Sequence, residues 1–456
     1  MTGRGALRGG TLRAATTVLA AACVLVSSLS GQATAAGAGE NDGEGGTTGG
    51  SPRPYRTAED AKAVTGSAHS IDGPTLRSGR YTDTLEPAEN SYYSVDLDDS
   101  SHVYVSAVLV PPPGTEVDYN EGFHLSIEGT DGTVCDETEV TFEAGHLSRP
   151  LAGHAVRYVE PEGDCQQQGT YSVRLERVGT SSSQAAWPVE LQVMREPGVR
   201  EEPPPPPADL SRATEPPPQP TAPEPKEVSG GSSFNDPPAV ADGVWKDRVL
   251  PGETRFYKVP LGWSQQLFAQ AEFSNAAAEG EYVPDALRME VYNPARGLAA
   301  EESESYQGKP QDVEVATAPV HYGNRHESDD EVAHTSVSGW YYLAVTVHRR
   351  VASVAPDGLP FLLRLALKGE PGTGPRYDGD ATDAGFGITE DDREQAAKGL
   401  TDEQVTTGDT MRLVGYLGLG VGTTLLLVLG GWTLLARRRA AAVGSPPPPD
   451  PVPPGH

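Results

Sequence analysis

The chain has 456 residues, with 52 Gly, 41 Pro and 37% hydrophobic residues. That is room for two or three domains of ordinary size, with substantial linkers between modest cores. A formal charge of −29, from 64 acidic against 35 basic residues, excludes nucleic-acid binding, which needs Lys and Arg clustered on one face to displace counterions. Of the basic residues 28 are Arg, and with the Ala, Gly and Pro bias this is what GC-rich codon usage produces, pointing to a high-GC Gram-positive bacterium.

Arg4, Arg8 and Arg13 precede the uncharged stretch Ala14 to Leu29 and the small-residue segment Ala33-Thr34-Ala35. This order is that of a secretory signal peptide, expected over residues 1–36 with cleavage after Ala35 or Ala36. Cys23 lies inside the apolar run, which continues through Val24-Leu25-Val26, so it is not read as a lipidation site. Residues 37–71 are expected to be a disordered N-terminal segment.

An internal repeat then organises the chain. Asp83 to Leu97 (DTLEPAENSYYSVDL) aligns without a gap on Asp247 to Leu261 (DRVLPGETRFYKVPL), an offset of 164. The same offset carries 102–107 onto 266–271 and Leu125-x-Ile127 onto Met289-x-Val291; Gly169-Thr170-Tyr171 later matches Gly339-Trp340-Tyr341, and Pro188-Val189 matches Pro360-Phe361. Each block alternates apolar and polar residues between turn residues such as Pro251-Gly252 and Asn293-Pro294, the pattern of half-buried strands. Short strands at this spacing are most economically buried as two packed antiparallel sheets. The fold class expected is therefore all-β, two tandem antiparallel β-sandwich modules at 72–196 and 236–369. Between them lies a Pro-rich linker, 197–235, with eleven Pro in residues 201–227; its polyproline stiffness is expected to hold the modules apart.

Pro251-Gly252-Glu253 before Phe256-Tyr257, a strand ending in Tyr292-Asn293-Pro294, and Gly339-Trp340-Tyr341-Tyr342 opening another together resemble the bacterial pre-peptidase C-terminal domain. Both modules resemble it. The resemblance implies jelly-roll-like sandwiches, and related collagen-binding modules bind calcium and matrix polymer.

Several residues invite a chemical reading. Cys135 and Cys165 are the cysteines left after removal of the leader, and in an oxidising compartment a structural disulfide is expected, one that stabilises by roughly 3.6 kcal/mol through loop closure. His321, His326 and His334 sit among Glu327, Asp329, Asp330 and Glu331, but the spacing lacks the second His of HExxH, so a solvated acidic loop is preferred to a metal site. Asp378, Asp380, Thr382 and Asp383 begin like a calcium loop without its twelfth-position Glu, which leaves weak calcium binding at most. Asp98-Asp99-Ser100-Ser101-His102 is read as a turn. Aromatics on alternate sides of strands (Tyr92-Tyr93, Phe256-Tyr257, Trp340-Tyr341-Tyr342) are read as packing, with a ligand surface as the alternative. No catalytic, cofactor-binding or metal-binding residue is assigned.

Residues 370–412 read as an acidic juxtamembrane linker. Leu413 to Ala436 carries no charge over 24 residues, about 36 Å of helix, long enough to cross a membrane. Arg437, Arg438 and Arg439 follow, which places the Pro-rich tail, 437–456, in the cytoplasm. Gly418 and Gly422 make a small-xxx-small pair through which a homodimer could form. Residues 37–412, with net charge −34 once the leader's three Arg and the tail's net +2 are removed from −29, are expected outside the cell membrane. The function expected is that of a non-enzymatic, single-pass type I membrane protein whose modules bind an extracellular protein or cell-wall polymer. The alternatives are an accessory or anchoring subunit for an exported enzyme or secretion complex, and a cryptic hydrolase.

Overall fold

The computed structural model describes residues 51–442, apart from 144, 161–162, 180–182, 202–217, 219, 222–223 and 278–279; of 408–421 and 440–442 the backbone alone is described. The expected signal peptide, residues 37–50, the middle of the Pro-rich linker and the tail from 443 lie outside the described residues.

The chain is mostly β-structure. The first half contributes β1 (Lys62–Ala63), β2 (Thr75–Leu76), β3 (Gly79–Leu85), β4 (Asn90–Leu97), β5 (His102–Leu109), β6 (Gly122–Glu128), β7 (Val134–Thr141), β8 (Leu151–Arg157), β9 (Gly169–Val178) and β10 (Trp187–Glu196). They form two sheets of order β1-β3-β10-β5-β8 and β2-β4-β9-β6-β7. After β11 (Val199–Glu201), the second half contributes β12 (Lys226–Glu227), β13 (Gly243–Val249), β14 (Thr254–Leu261), β15 (Gln266–Phe273), β16 (Val283–Tyr292), β17 (Leu298–Tyr306), β18 (Gln311–Ala316), β19 (Gly339–Val347) and β20 (Leu359–Lys368). Their sheets are β12-β13-β20-β15-β18 and β14-β19-β16-β17. The strand orders of the two halves correspond, and the repeat reaches further back than the expected boundaries at 72 and 236. β1 and β12 occupy equivalent edges, each pairing in parallel.

The repeat has a shared internal fastening. Asp83 accepts hydrogen bonds from the Tyr93 hydroxyl and the Gly66 amide, both at 2.7 Å. Asp247 does the same with Tyr257 at 2.6 Å and Gly230 at 2.7 Å. A Cβ on Gly66 would lie 2.7 Å from Ser91 and 3.1 Å from the Tyr93 ring, so a side chain there would push this fastening apart. Each half has its own core, around Trp187, Phe123 and Leu125 in the first and Trp245, Phe273 and Met289 in the second.

The expected separation of the halves is overturned. On β5 every residue is buried: Val103, Val105, Ala107 and Leu109 fill the first core, while Tyr104 and Val108, on the other face, join clusters with residues of the second half. The sheet of β5, β8 and β10 lies face to face on that of β14, β16 and β19, and burying two apolar faces against each other is favourable enough to outweigh the stiffness of the linker. Phe234, from the expected linker, is the hub of this contact, with ring centroids 4.8 Å from Phe256, 5.3 Å from Tyr292 and 5.2 Å from Tyr342.

Two further expectations change for the same reason. Residues 51–71 are not loose where described: Tyr55 meets Phe256 edge-on at 6.4 Å, and the Ala58 amide donates to Glu190 at 3.0 Å. Residues 370–407 are not an open linker but a strap. Here β21 (Arg376–Tyr377) pairs with β11, and Ala381 and Phe386 enter a cluster with Tyr104, Val156 and Val337. Two short helical segments follow the fold's loops, α1 (Asp330–Ala333) and α2 (Glu390–Lys398), the latter closed by a Thr389 capping box and Gly399 at φ 71°. Helix α3 (Asp402–Ala442) then leaves the body. It contains the expected span, the first part of whose side chains lies outside the described residues. Among the described residues, no helix is long and apolar enough to cross a membrane.

Candidate functional site at the junction of the halves

Strand alternation places the polar groups of the junction. On β10, Leu191 and Val193 face the first core, so Glu190 and Glu196 project from the opposite face. Both carboxylates are fully buried and each is met by a guanidinium of the second half. Glu190 accepts from Arg296 at 2.6 Å, from the Asn235 amide group at 2.9 Å and from the Ala58 backbone. Glu196 accepts from Arg325 at 3.1 Å, the Tyr104 hydroxyl at 2.9 Å and the Tyr377 hydroxyl at 2.7 Å. The third pair has the opposite sense: Arg149 of the first half donates to Glu290 of the second at 2.8 Å. Burial alone would raise the Glu290 carboxyl, but Arg149 and Arg288 hold it below the usual carboxylate range. Arg325 loses hydration, yet Glu196 drives its guanidinium further up, so it stays charged. Ions this deep are tolerated because each is paired and hydrogen-bonded.

Imidazoles line the same junction. His102 accepts the Val159 amide on Nδ1 at 2.8 Å and meets the Tyr322 hydroxyl of the second half through Nε2 at 3.1 Å. His154 and His334 face each other, ring centroids 4.6 Å apart.

Beside these pairs opens a cleft of about 650 Å³ between the halves. Tyr55 and Pro52 of the N-terminal arm, the Pro111-Pro112-Pro113 loop, Pro150, Pro188 and Pro251 form its walls; Arg53, Arg149 and Arg349 bring cations to it. Arg53 is bound to Glu253 and Arg349 to Glu116. Rigid apolar walls with a few polar groups are what a preformed binding cleft requires.

Of the residues singled out from sequence, His102, His334, Phe256 and Tyr342 reach the junction, while the His and Asp motifs do not gather into one site. His321 caps a single turn by accepting from Gly323, His326 lies 3.3 Å from Glu160, and His334 is drawn to the backbone of Leu298 at 2.7 Å. Asp378 is paired with Arg200, and Asp380 caps the turn at Thr382 and Asp383. Asp98 accepts from the amides of Ser100 and Ser101. Desolvation pulls it up, but those hydrogen bonds hold it down at about 2, as a turn-capping carboxylate requires. Among the described residues no group of three or more His, Cys, Asp or Glu is arranged to hold a metal ion. The aromatics are used in packing: Tyr93, Tyr257 and Tyr341 are in the cores, Phe256 and Tyr342 at the junction, and Trp340 carries the Lys258 ammonium 4.4 Å above its ring. Cys135 and Cys165 form the expected disulfide, their Cα atoms 5.6 Å apart.

No family model matches the chain, and no curated protein matches it significantly. Among solved structures, the tandem CBM22-1–CBM22-2 domains of Xyn10C from Paenibacillus barcinonensis are similar at 14% identity and a TM-score of 0.16, covering 69% of this chain and 100% of theirs. The CUB1-EGF-CUB2 domains of human MASP-1/3 give 9% and 0.14, over 63% of this chain and 99% of theirs. A β-glucosidase from Paenibacillus barengoltzii gives 13% and 0.17, over 30% of this chain, and the match spans only 14% of the glucosidase. At these scores the likeness carries no argument for function, and the all-β description rests on the strands themselves.

Glu190, Glu196, Arg296, Arg325 and the arm residue Tyr55 were not among the residues the sequence singled out. Two signals pointed to the buried face and its carboxylates: the apolar run Val103 to Leu109, whose missing alternation marks burial on both faces, and Glu190 and Glu196 falling on the non-core side of the alternation along β10.

Proposed function

We propose that the chain is a non-enzymatic, single-pass type I membrane protein that presents two pre-peptidase C-terminal-like, jelly-roll β-sandwiches outside the cell and binds an extracellular protein or wall polymer in the cleft between them. One observation carries the membrane reading: Leu425, Leu426, Leu427, Val428, Leu429, Trp432, Leu434 and Leu435 are all exposed on α3, immediately before Arg437 to Arg439. So much exposed apolar surface on one helix is stable where hydrocarbon, not water, surrounds it, and the Arg cluster marks the cytoplasmic end. The binding reading is supported by the preformed, proline-walled cleft.

A second reading, an anchoring subunit for an exported enzyme or secretion complex, is favoured by the way α3 is fastened to the body. Lys258, almost fully buried, donates to Asp402 in the first turn of α3, and Gln395 of α2 donates to the same carboxylate at 2.7 Å. A body held at a fixed angle to its membrane helix suits a scaffold.

The topology is tested by thiol labelling in intact, wall-stripped cells. Ala316→Cys is expected to react with a membrane-impermeant maleimide, whereas Ser445→Cys is expected to react only after permeabilisation. Labelling of both, or of Ser445→Cys alone, overturns the reading.

A further inference from the structure

The His154–His334 contact joins the halves without a carboxylate between the rings. His154 projects from β8 on the face turned from the first core and is buried. Its Nδ1 has no hydrogen-bond partner, while the backbone of Ala295, in the turn between β16 and β17, bonds the ring. His334, just after α1, spends its Nδ1 on the Leu298 carbonyl at 2.7 Å and keeps an edge open to solvent, which gives protons a route in. A Cβ on Gly297 would lie 2.2 Å from the His154 ring, so the turn leaves these rings no room to move apart within the closed stack.

The groups around the pair are few. From β5 comes Tyr104, edge-on to His154 at 5.5 Å, whose hydroxyl is committed to Glu196. Arg296, in the same turn as Gly297, is committed to Glu190. From α1, Asp330 acts on His334 and on Asp136. Asp136 on β7 accepts the Val156 amide of β8 at 2.7 Å. The third imidazole of the junction, His102, is faced by Arg325, Glu196, Arg157 and His326.

We propose that the His154–His334 contact is an acid-release point: proton uptake by these rings, joined by His102, separates the stacked halves while each sandwich stays folded and the strap keeps them tethered. Charging both rings would set two cations against each other where no carboxylate acts on His154 and Asp330 alone acts on His334. His102 cannot take a proton on Nδ1 without losing its bond from Val159.

The direction of the pH dependence follows from which form the closed stack holds. Burial, with His334 facing it, pushes His154 well below the ordinary imidazole range. Burial also lowers His334, against the pull of Leu298 and Asp330, and takes His102 down to about 4, helped by Arg325. The open form therefore takes up protons first. Closure is complete above the ordinary imidazole value of 6.5 and is lost as pH falls from there towards about 4. Each ring that charges only on opening moves the equilibrium about tenfold towards the open form per pH unit in that window. Asp136 works against this: burial pushes it up to about 6, so it gains its proton in the closed form. Glu290, held below the usual carboxylate range by Arg149 and Arg288, takes up no proton in this window, so the Arg149–Glu290 pair opposes opening and is parted only by the separation itself.

The test uses the full chain in nanodiscs with nitroxides on Thr84→Cys in the first half and Ala316→Cys in the second, read by pulsed dipolar spectroscopy. A single short distance at pH 7.5 is expected to give way to a longer population between pH 6.5 and 4, with far-UV circular dichroism unchanged. In His154→Leu/His334→Leu the longer population is expected to need at least one further pH unit of acid, and His69→Gln, an exposed imidazole, to change nothing. Because two substitutions in a buried contact alter its packing, imidazole NMR titration of the unsubstituted chain is read alongside: His154 and His334 are expected to take up protons only together with the distance change. A distance constant down to pH 4.5, an unaltered response in a double variant that is closed at pH 7.5, titration of both rings near 6.5 without opening, or loss of sheet signal in the same step would each overturn the proposal.

Discussion

At the scale of single residues, the junction depends on carboxylates whose environment is set by the other half. Glu196 has no exposed surface, and its charge is balanced by Arg325, itself nearly buried. Removing one member leaves the other buried and unpaired, so Glu196→Gln is expected to destabilise the protein by about 3–5 kcal/mol in urea unfolding. Arg200–Asp378, which joins β11 to the strap, is mostly exposed, and Arg200→Ala is expected to cost about 0–1 kcal/mol. Equal effects of the two substitutions would show that burial does not decide the matter. This contrast was only half legible in the sequence. Alternation along β10 shows that Glu190 and Glu196 leave the first core, but whether that face meets water or another sheet is a property of the partner surface. The Cys135–Cys165 bond was legible because no other pairing was open to those residues; the place of His102 and His334 at the junction was not, because spacing along a loop says little about where the side chains end.

Among elements, β5 and the strap repay comparison. The constant offset of 164 covered β4 and most of β5 with their counterparts β14 and β15, and only the ends of β3 and β13, since strand period and turn residues are local properties. The strap was read as a solvated acidic linker because Asp and Glu dominate it, yet a single aromatic decides its place. Phe386 is almost fully buried, 5.3 Å from the Tyr104 ring, in a cluster that also holds Ala295 and Val337 of the second half. Thermal unfolding of Phe386→Ala should therefore report a loss of about 3–5 kcal/mol, as for other large-to-small changes in a core. An exposed linker residue would give less than 0.5 kcal/mol, and that outcome would mean the strap is not part of the folded body.

For the whole molecule, the two halves share a face, and this changes how they should unfold. Independent modules on a stiff spacer would melt separately, each at its own temperature. Here the face of β5, β8 and β10 is buried only while the second half is present, so neither half is at full stability alone and the transitions couple. Cys135→Ser provides the discriminating case. The disulfide lies in the first half and closes a loop of separation 30, so its loss should cost the first half roughly 2–4 kcal/mol. If the stack is intact at neutral pH, calorimetry of the variant is expected to show one transition, lowered as a whole, with calorimetric and van't Hoff enthalpies still in agreement. At pH 4.5, where the junction is proposed to have opened, the same variant is expected to show two transitions, the first half melting earlier and the second where it melts in the unsubstituted chain. Two transitions already at pH 7.5, with only the first displaced, would mean that the shared face contributes little and that the halves behave as the spacer-separated modules first expected from the sequence.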